Sequence, residues 1–124
     1  MINTTISEFG KILKFDNLSF NEDHIIHLEL KSIGDLFIED SPPYLLMYLS
    51  TQCENLSSKT YQKALTLCHY KQKNPYPTYT GLYEDNKLSF LIRIPYEEIS
   101  ESNLEKAVLF LIKLQNQITN INKT

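Results

Sequence analysis

The chain has no tryptophan, only three glycines, and a single arginine, Arg93, among its twelve basic residues. Each scarcity removes a class of function. So few glycines leave little room for loops that cradle phosphates, and neither a P-loop nor a GxGxxG pattern occurs. Net charge is −3, and no stretch concentrates lysine or arginine as a nucleic-acid binder requires. The densest basic segment, Lys71 to Lys73, is flanked by neutral residues. The two cysteines, Cys53 and Cys68, are too few for a disulfide framework, and their spacing fits no zinc pattern. They read as small apolar thiols in a reducing compartment. Long hydrophobic runs are missing too. The longest, 44–49 and 107–112, have six residues each, against about twenty for a membrane span. No basic region followed by an apolar one opens the sequence, so it does not read as a signal peptide. The expectation is a cytoplasmic protein without a membrane span.

What is present is ordinary for a globular chain. Its 124 residues are 42% hydrophobic and 22% charged, with eight tyrosines and six phenylalanines. That suffices for one domain, residues 1–124, with one core. No repeat, low-complexity segment or linker divides it.

Periodicity gives the order of elements. Ile2, Ile6, Phe9 and Leu13 share one helical face, and Thr5 with Glu8 has capping-box spacing, so a first helix is expected over about 5–15. Gly10 weakens it, with close approach of another backbone as the compensation. Three strands follow. In 24–30, Ile26, Leu28 and Leu30 face one way and Ile25, His27 and Glu29 the other. Residues 36–39 form a short strand after a turn at 32–35, and Asp40-Ser41-Pro42-Pro43 breaks it. Residues 44–49 are apolar throughout, which predicts a strand covered on both faces. A second helix is expected over 58–71. Its stripe of Tyr61, Ala64, Leu65 and Cys68 is widened by Leu67 and Tyr70, broad enough to cover a sheet and touch something else. After Asn74-Pro75-Tyr76-Pro77 comes a hairpin of 78–83 and 88–94 with its turn at 84–87. There Leu91 interrupts the polar face of the second strand. A last helix starts near Ser102, with Glu105 completing a capping box. Its residues Leu104, Ala107, Leu111, Leu114, Ile118 and Ile121 form a seam broadened by Val108 and Ile112, which favours packing on a sheet. The tail from 120 to 124 reads as frayed. The fold class is α+β: α-β-β-β-α-β-β-α, with a mainly antiparallel five-stranded sheet packed by helices.

Candidate chemistry is thin. His24 and His27, three apart on a strand, point to opposite faces and do not share an ion readily. His69 lies late on the second helix, where the helix dipole favours it, and has no partner nucleophile. No serine sits in a Gly-x-Ser-x-Gly turn. The adjacent pairs Glu39–Asp40, Glu84–Asp85 and Glu97–Glu98 read as solvated surface, because acid–base catalysis needs carboxyls that converge from two sides. No catalytic residue, metal ligand or cofactor is assigned. The apolar faces, in contrast, exceed what one side of a sheet covers, and large apolar surfaces mark binding sites.

The order of elements, with Lys63-Ala64-Leu65-Thr66-Leu67, Gly81-Leu82-Tyr83-Glu84 and residues 109–118, resembles the class I type III secretion chaperones, the CesT/Tir-chaperone-like family. The SycN-type subunit, which serves a gatekeeper protein, is the nearest likeness. The resemblance implies a dimer, with itself or with a related subunit. It also implies binding, without catalysis, of the N-terminal segment of a secreted effector or gatekeeper, held soluble and extended. By that resemblance Ala64, Leu65, Cys68, Tyr79 and Leu82 fall at the dimer interface. Ile6, Phe9 and Leu13 are its cargo-binding candidates, with a core role as the competing reading. The other functional readings are a structural or regulatory subunit of a larger secretion assembly, and a small-ligand-binding domain.

Overall fold

The computed structural model describes residues 2–16, 18–53, 56–83 and 86–122. The order is α1 (Ile2–Ile12), β1 (Ile25–Leu30), β2 (Gly34–Ser41), β3 (Tyr44–Gln52), α2 (Ser58–Leu67), β4 (Thr78–Tyr83), β5 (Lys87–Pro95), a short 3-10 turn (Tyr96–Glu98) and α3 (Glu101–Asn122). The fold class is the expected α+β. The five strands form one antiparallel sheet in the order β1-β2-β3-β5-β4. Consecutive strands are therefore neighbours, except that β5 lies between β3 and β4.

Strand alternation positions the core. Leu36 and Ile38 of β2, Leu45, Met47 and Leu49 of β3, and Phe90, Ile92 and Ile94 of β5 are fully buried. They face α3, whose seam residues Leu104, Ala107, Leu111, Leu114 and Ile118 are buried against them. Burial of this apolar area is the main stabilising contribution. α1 packs its Ile6–Phe9 stripe on α3, and α2 packs on α3 and β4.

Helices cover only one face of the sheet, so β3 departs from the expectation of cover on both sides. Tyr44, Leu46 and Tyr48, on the other face, are half-buried. Neighbouring strands shield them: the Phe37 ring stacks on His27 at 4.5 Å and on Tyr48 at 4.9 Å. The Arg93 guanidinium lies 4.4 Å from the centre of the Tyr44 ring, a cation–π contact. Sequence runs do not separate shielding by a helix from shielding by large neighbours on the same face.

Element ends differ from expectation where a nearby polar residue caps better. α1 begins at Ile2, so Thr5 and Glu8 lie inside it. α2 is capped by Ser57, whose Oγ accepts from the Thr60 amide. For α3 the cap is Ser100: its Oγ accepts from the Asn103 amide at 3.1 Å, and Ser102–Glu105 lies within the helix. α2 stops at Leu67, three residues after Ala64, where the Asn74 side chain donates to the Leu67 carbonyl. α3 continues through Asn122, past the expected fraying point. The Glu84–Asp85 pair and residues 123–124 lie outside the described residues. β2 reaches further than expected at both ends, up to a turn at Pro42-Pro43, and β3 starts at Tyr44 as expected but runs on to Gln52.

Candidate binding surfaces

Apolar side chains left outside the core mark the sites. Among the described residues seven large hydrophobics are exposed: Ile12, Tyr61, Leu65, Tyr70, Tyr79, Leu82 and Leu109. They fall in two places. Tyr61, Leu65, Tyr70, Tyr79 and Leu82 lie on α2, the segment after it, and β4. Ile12 and Leu109 line a groove between α1, α3 and the β1–β2 turn.

Helical spacing builds the first surface. On α2, Thr60, Ala64 and Leu67 point inward and are buried, which turns Tyr61 and Leu65, four residues apart, outward. Leu65 is 63% exposed. β4 is the edge strand, so its far side is unpaired. Its pairing with β5 sets Leu82 opposite the buried Leu88, on the helix side, and Tyr79 opposite Leu91, on the other side. Cys68 ends α2 half-buried, and burial pushes its thiol up to about 11, so it is neutral and acts as an apolar contact.

The groove lies toward the other edge of the sheet. Ile12, Leu13, Leu30, Ile33, Val108, Leu109 and Ile112 are its apolar lining, with Glu105 also on the wall, and its volume is about 260 Å³. Its shape follows from two residues that leave their helical stripes. Ile12 falls off the Ile6–Phe9 stripe of α1, and Leu109 falls off the α3 seam. Apolar residues displaced from an amphipathic stripe were the sequence signal for this site.

The residues named from the sequence divide accordingly. Leu65 and Leu82 lie on the helix side of the β4 edge, with Cys68 at the end of α2, and Tyr79 lies on the opposite face of the same strand. Ala64 is buried beneath the helix-side surface and shapes it from below. Leu13 lines the groove. Ile6 and Phe9 are fully buried core residues that no partner touches in this conformation, because their stripe faces α3. The apolar positions left accessible here are the exposed Ile12 and the half-buried Ile2 on α1, and the half-buried Leu13 just past it.

Polar groups do not converge into a reactive site. His27 Nε2 lies 2.9 Å from Asp35 Oδ1, and Lys87 lies 3.7 Å from the other oxygen of that carboxylate. His24 is exposed in the turn before β1, and His69, just past α2, accepts from the Lys71 amide. Among the described residues no group of three or more His, Cys, Asp or Glu is placed to hold a metal ion, and no helix is long and apolar enough to cross a membrane.

The family model described as type III secretory system chaperone SycN matches residues 1–119. The chain belongs to this family. No curated protein matches the sequence. Solved structures share the fold at low identity. One, in the HopA1–SchA chaperone–effector complex, is 17% identical with a TM-score of 0.72, over 98% of this chain and 92% of that one. A second, in the ExsC–ExsE complex, is 14% identical with a TM-score of 0.75, over 90% and 86%. A third is in the complex of the Yersinia pestis type III secretion chaperone SycH with a stable fragment of YscM2. It is 14% identical with a TM-score of 0.69, over 97% and 98%. At such identities these likenesses establish the fold, and the family rests on the match along the chain.

Proposed function

We propose that the chain is a type III secretion chaperone that holds the N-terminal segment of a secreted effector or gatekeeper protein. The observation that carries this reading is the division of exposed apolar surface between two sites at opposite edges of one sheet. A chaperone of this kind needs both: one surface for a second subunit and one for cargo. The α2–β4 surface, with Leu65, Tyr79 and Leu82, serves the subunit contact. The groove lined by Ile12, Leu13, Leu109 and Ile112 takes apolar side chains of the cargo. Family membership supports the assignment, and so do the neighbours of like fold, which come from chaperone complexes.

The chain acts here as one unit, by contact alone and without catalysis. A cargo segment ordered on binding loses conformational entropy, so it must be wrapped over a large area, and two subunits supply more surface than one. The place of action is the bacterial cytoplasm, where cargo waits before export.

The test is co-expression with the products of adjacent genes, followed by mass measurement of the purified complex and limited proteolysis of what is bound. The expected result is a dimer carrying a protected N-terminal segment of a secreted protein. A monomer that retains none of those products contradicts the reading.

A further inference from the structure

Arg93, the chain's single arginine, stands half-buried between the buried Ile92 and Ile94 and so on the face of the sheet that carries no helix. Its neighbours there are apolar. Pairing sets it opposite Leu46, with Leu91 two residues before it on β5 and with Tyr44 and Tyr48 on either side of Leu46 on β3. Among the described residues it makes no ion pair, and its Nε is the one buried side-chain nitrogen or oxygen without a hydrogen-bond partner. A buried donor left without an acceptor destabilises the free chain. The one carboxylate in its row, Glu39, lies two strands away beyond Leu46 and accepts from the Tyr48 hydroxyl at 3.4 Å.

Everywhere else the chain uses lysine for a fixed positive charge. What arginine adds is a planar fork, which stacks by its face and pairs with a carboxylate by its edge. The Tyr44 ring takes the face. Among the described residues nothing takes the edge. The size of the surrounding patch limits what does. Phe37, Tyr44, Leu46, Tyr48 and Leu91 cover three strands, roughly 15 Å each way and about 200–300 Å² in all. A stable contact between two folded subunits needs about 800 Å² on each partner, so this patch alone does not hold a second copy. An extended segment of about five residues spans it.

We propose that the helix-free face of the sheet is a binding site in its own right, where Arg93 takes a carboxylate from an extended, apolar segment of a partner polypeptide. This goes beyond the proposed function, which uses neither Arg93 nor the patch around it. The apolar side chains of the segment cover Leu46, Tyr48 and Leu91. Docking turns the fork toward the carboxylate, and Nε, closed to solvent in the free chain, gains its acceptor. The apolar contacts supply affinity, and the paired donors of the fork fix the register of the segment.

The probe is a library of random linear peptides, selected on the wild-type protein and counter-selected on Arg93→Gln. The peptides retained should carry Asp or Glu among apolar residues. Asn or Gln in place of that acid should weaken binding at least about tenfold. Arg93→Lys, which keeps the charge and loses the fork, should do the same. Leu65→Glu and Leu109→Glu should leave this binding unchanged, which separates the site from the two surfaces of the proposed function. Arg93→Met tests the residue without a ligand: its melting temperature should fall by less than about 5 °C, because an unpaired cation on an apolar face adds little to the fold. A larger fall makes Arg93 a structural residue and overturns the proposal. So does a selection that retains no acid-bearing peptide, or binding indifferent to Arg93→Lys. Binding abolished by Leu65→Glu or Leu109→Glu belongs to those surfaces and overturns it as well. Displacement of the peptides by acetate at equal concentration makes the ligand a free carboxylate and overturns the polypeptide occupant.

Discussion

Gln115 of α3 donates from Nε2 to the carbonyl of Leu49 on β3 and also to that of Leu88 on β5, both at 2.9 Å. It is buried in an otherwise apolar seam, four residues from Leu111 and three from Ile118. One amide group thus pins the longest helix across the two central strands and fixes its register on the sheet.

Replacing Gln115 with Leu keeps the volume and removes both bonds, leaving two buried carbonyls short of a donor. The expected cost is about 2 kcal/mol, a fall in melting temperature of roughly 6–10 °C for a chain of this size. Thermal unfolding followed by circular dichroism checks it. An unchanged midpoint would mean that the ladder already satisfies those carbonyls.

Gly34 and Gly81 should behave oppositely. A Cβ on Gly34 would lie 2.4 Å from the Ser50 carbonyl oxygen, where φ is +154°. The backbone there is also tied down by Thr51, whose hydroxyl donates to the Ile33 carbonyl at 3.1 Å. Gly34→Ala should destabilise by about 1–3 kcal/mol through overpacking, while Gly81→Ala, in open space, should not destabilise at all. Urea denaturation of both variants tests the contrast, and equal losses would refute it.

The Tyr96 hydroxyl donates to the Asp40 carboxylate and joins the 3-10 turn to the end of β2. Burial, then that hydrogen bond and the carboxylate charge, push the phenol up to about 12 from its ordinary 10. A raised pKa means that the folded state holds the proton more tightly than the unfolded one. The contribution to stability is therefore complete below pH 10 and is lost as pH rises through 12. Titration of absorbance at 295 nm should show one tyrosine ionising late, and Tyr96→Phe should remove that late step. A late step that persists in Tyr96→Phe belongs to another residue.

Much of this was legible in the sequence, for identifiable reasons. The Ile26–Leu28 alternation, the Leu104–Ile118 seam and the Ile6–Phe9 stripe are periodic signals, and each is buried as its period requires. The helix caps were not legible, because Ser57, Ser58, Ser100 and Ser102 offer neighbouring choices that only backbone geometry separates. Polar residues facing the core, Thr60 and Gln115, were hidden by their chemistry: a pattern of apolar residues skips them. On the surfaces, Leu65, Tyr79 and Leu82 are each exposed at the β4 edge, Tyr79 on the face away from the other two, whereas Ile6 and Phe9 illustrate the converse. A strong apolar stripe names a core face first, and the apolar residues such a helix leaves accessible are the ones displaced from it.

That displacement gives the most discriminating prediction. Leu65 and Leu109, 63% and 59% exposed, lie on the two separate surfaces. Glutamate at either should change folding stability by less than about 0.5 kcal/mol, because neither side chain is in the core. Leu65→Glu would bury a charge between subunits and should reduce the dimer to monomer at micromolar concentration. Leu109→Glu sets a carboxylate in the groove, four residues from Glu105, and should weaken capture of a co-expressed cargo segment at least about tenfold, equivalent to 1.4 kcal/mol. It should leave the dimer intact. Light scattering reads the first effect and titration calorimetry with the purified cargo segment reads the second. If Leu109→Glu dissolves the dimer, or Leu65→Glu abolishes capture while the dimer persists, then the two surfaces have been assigned the wrong way round.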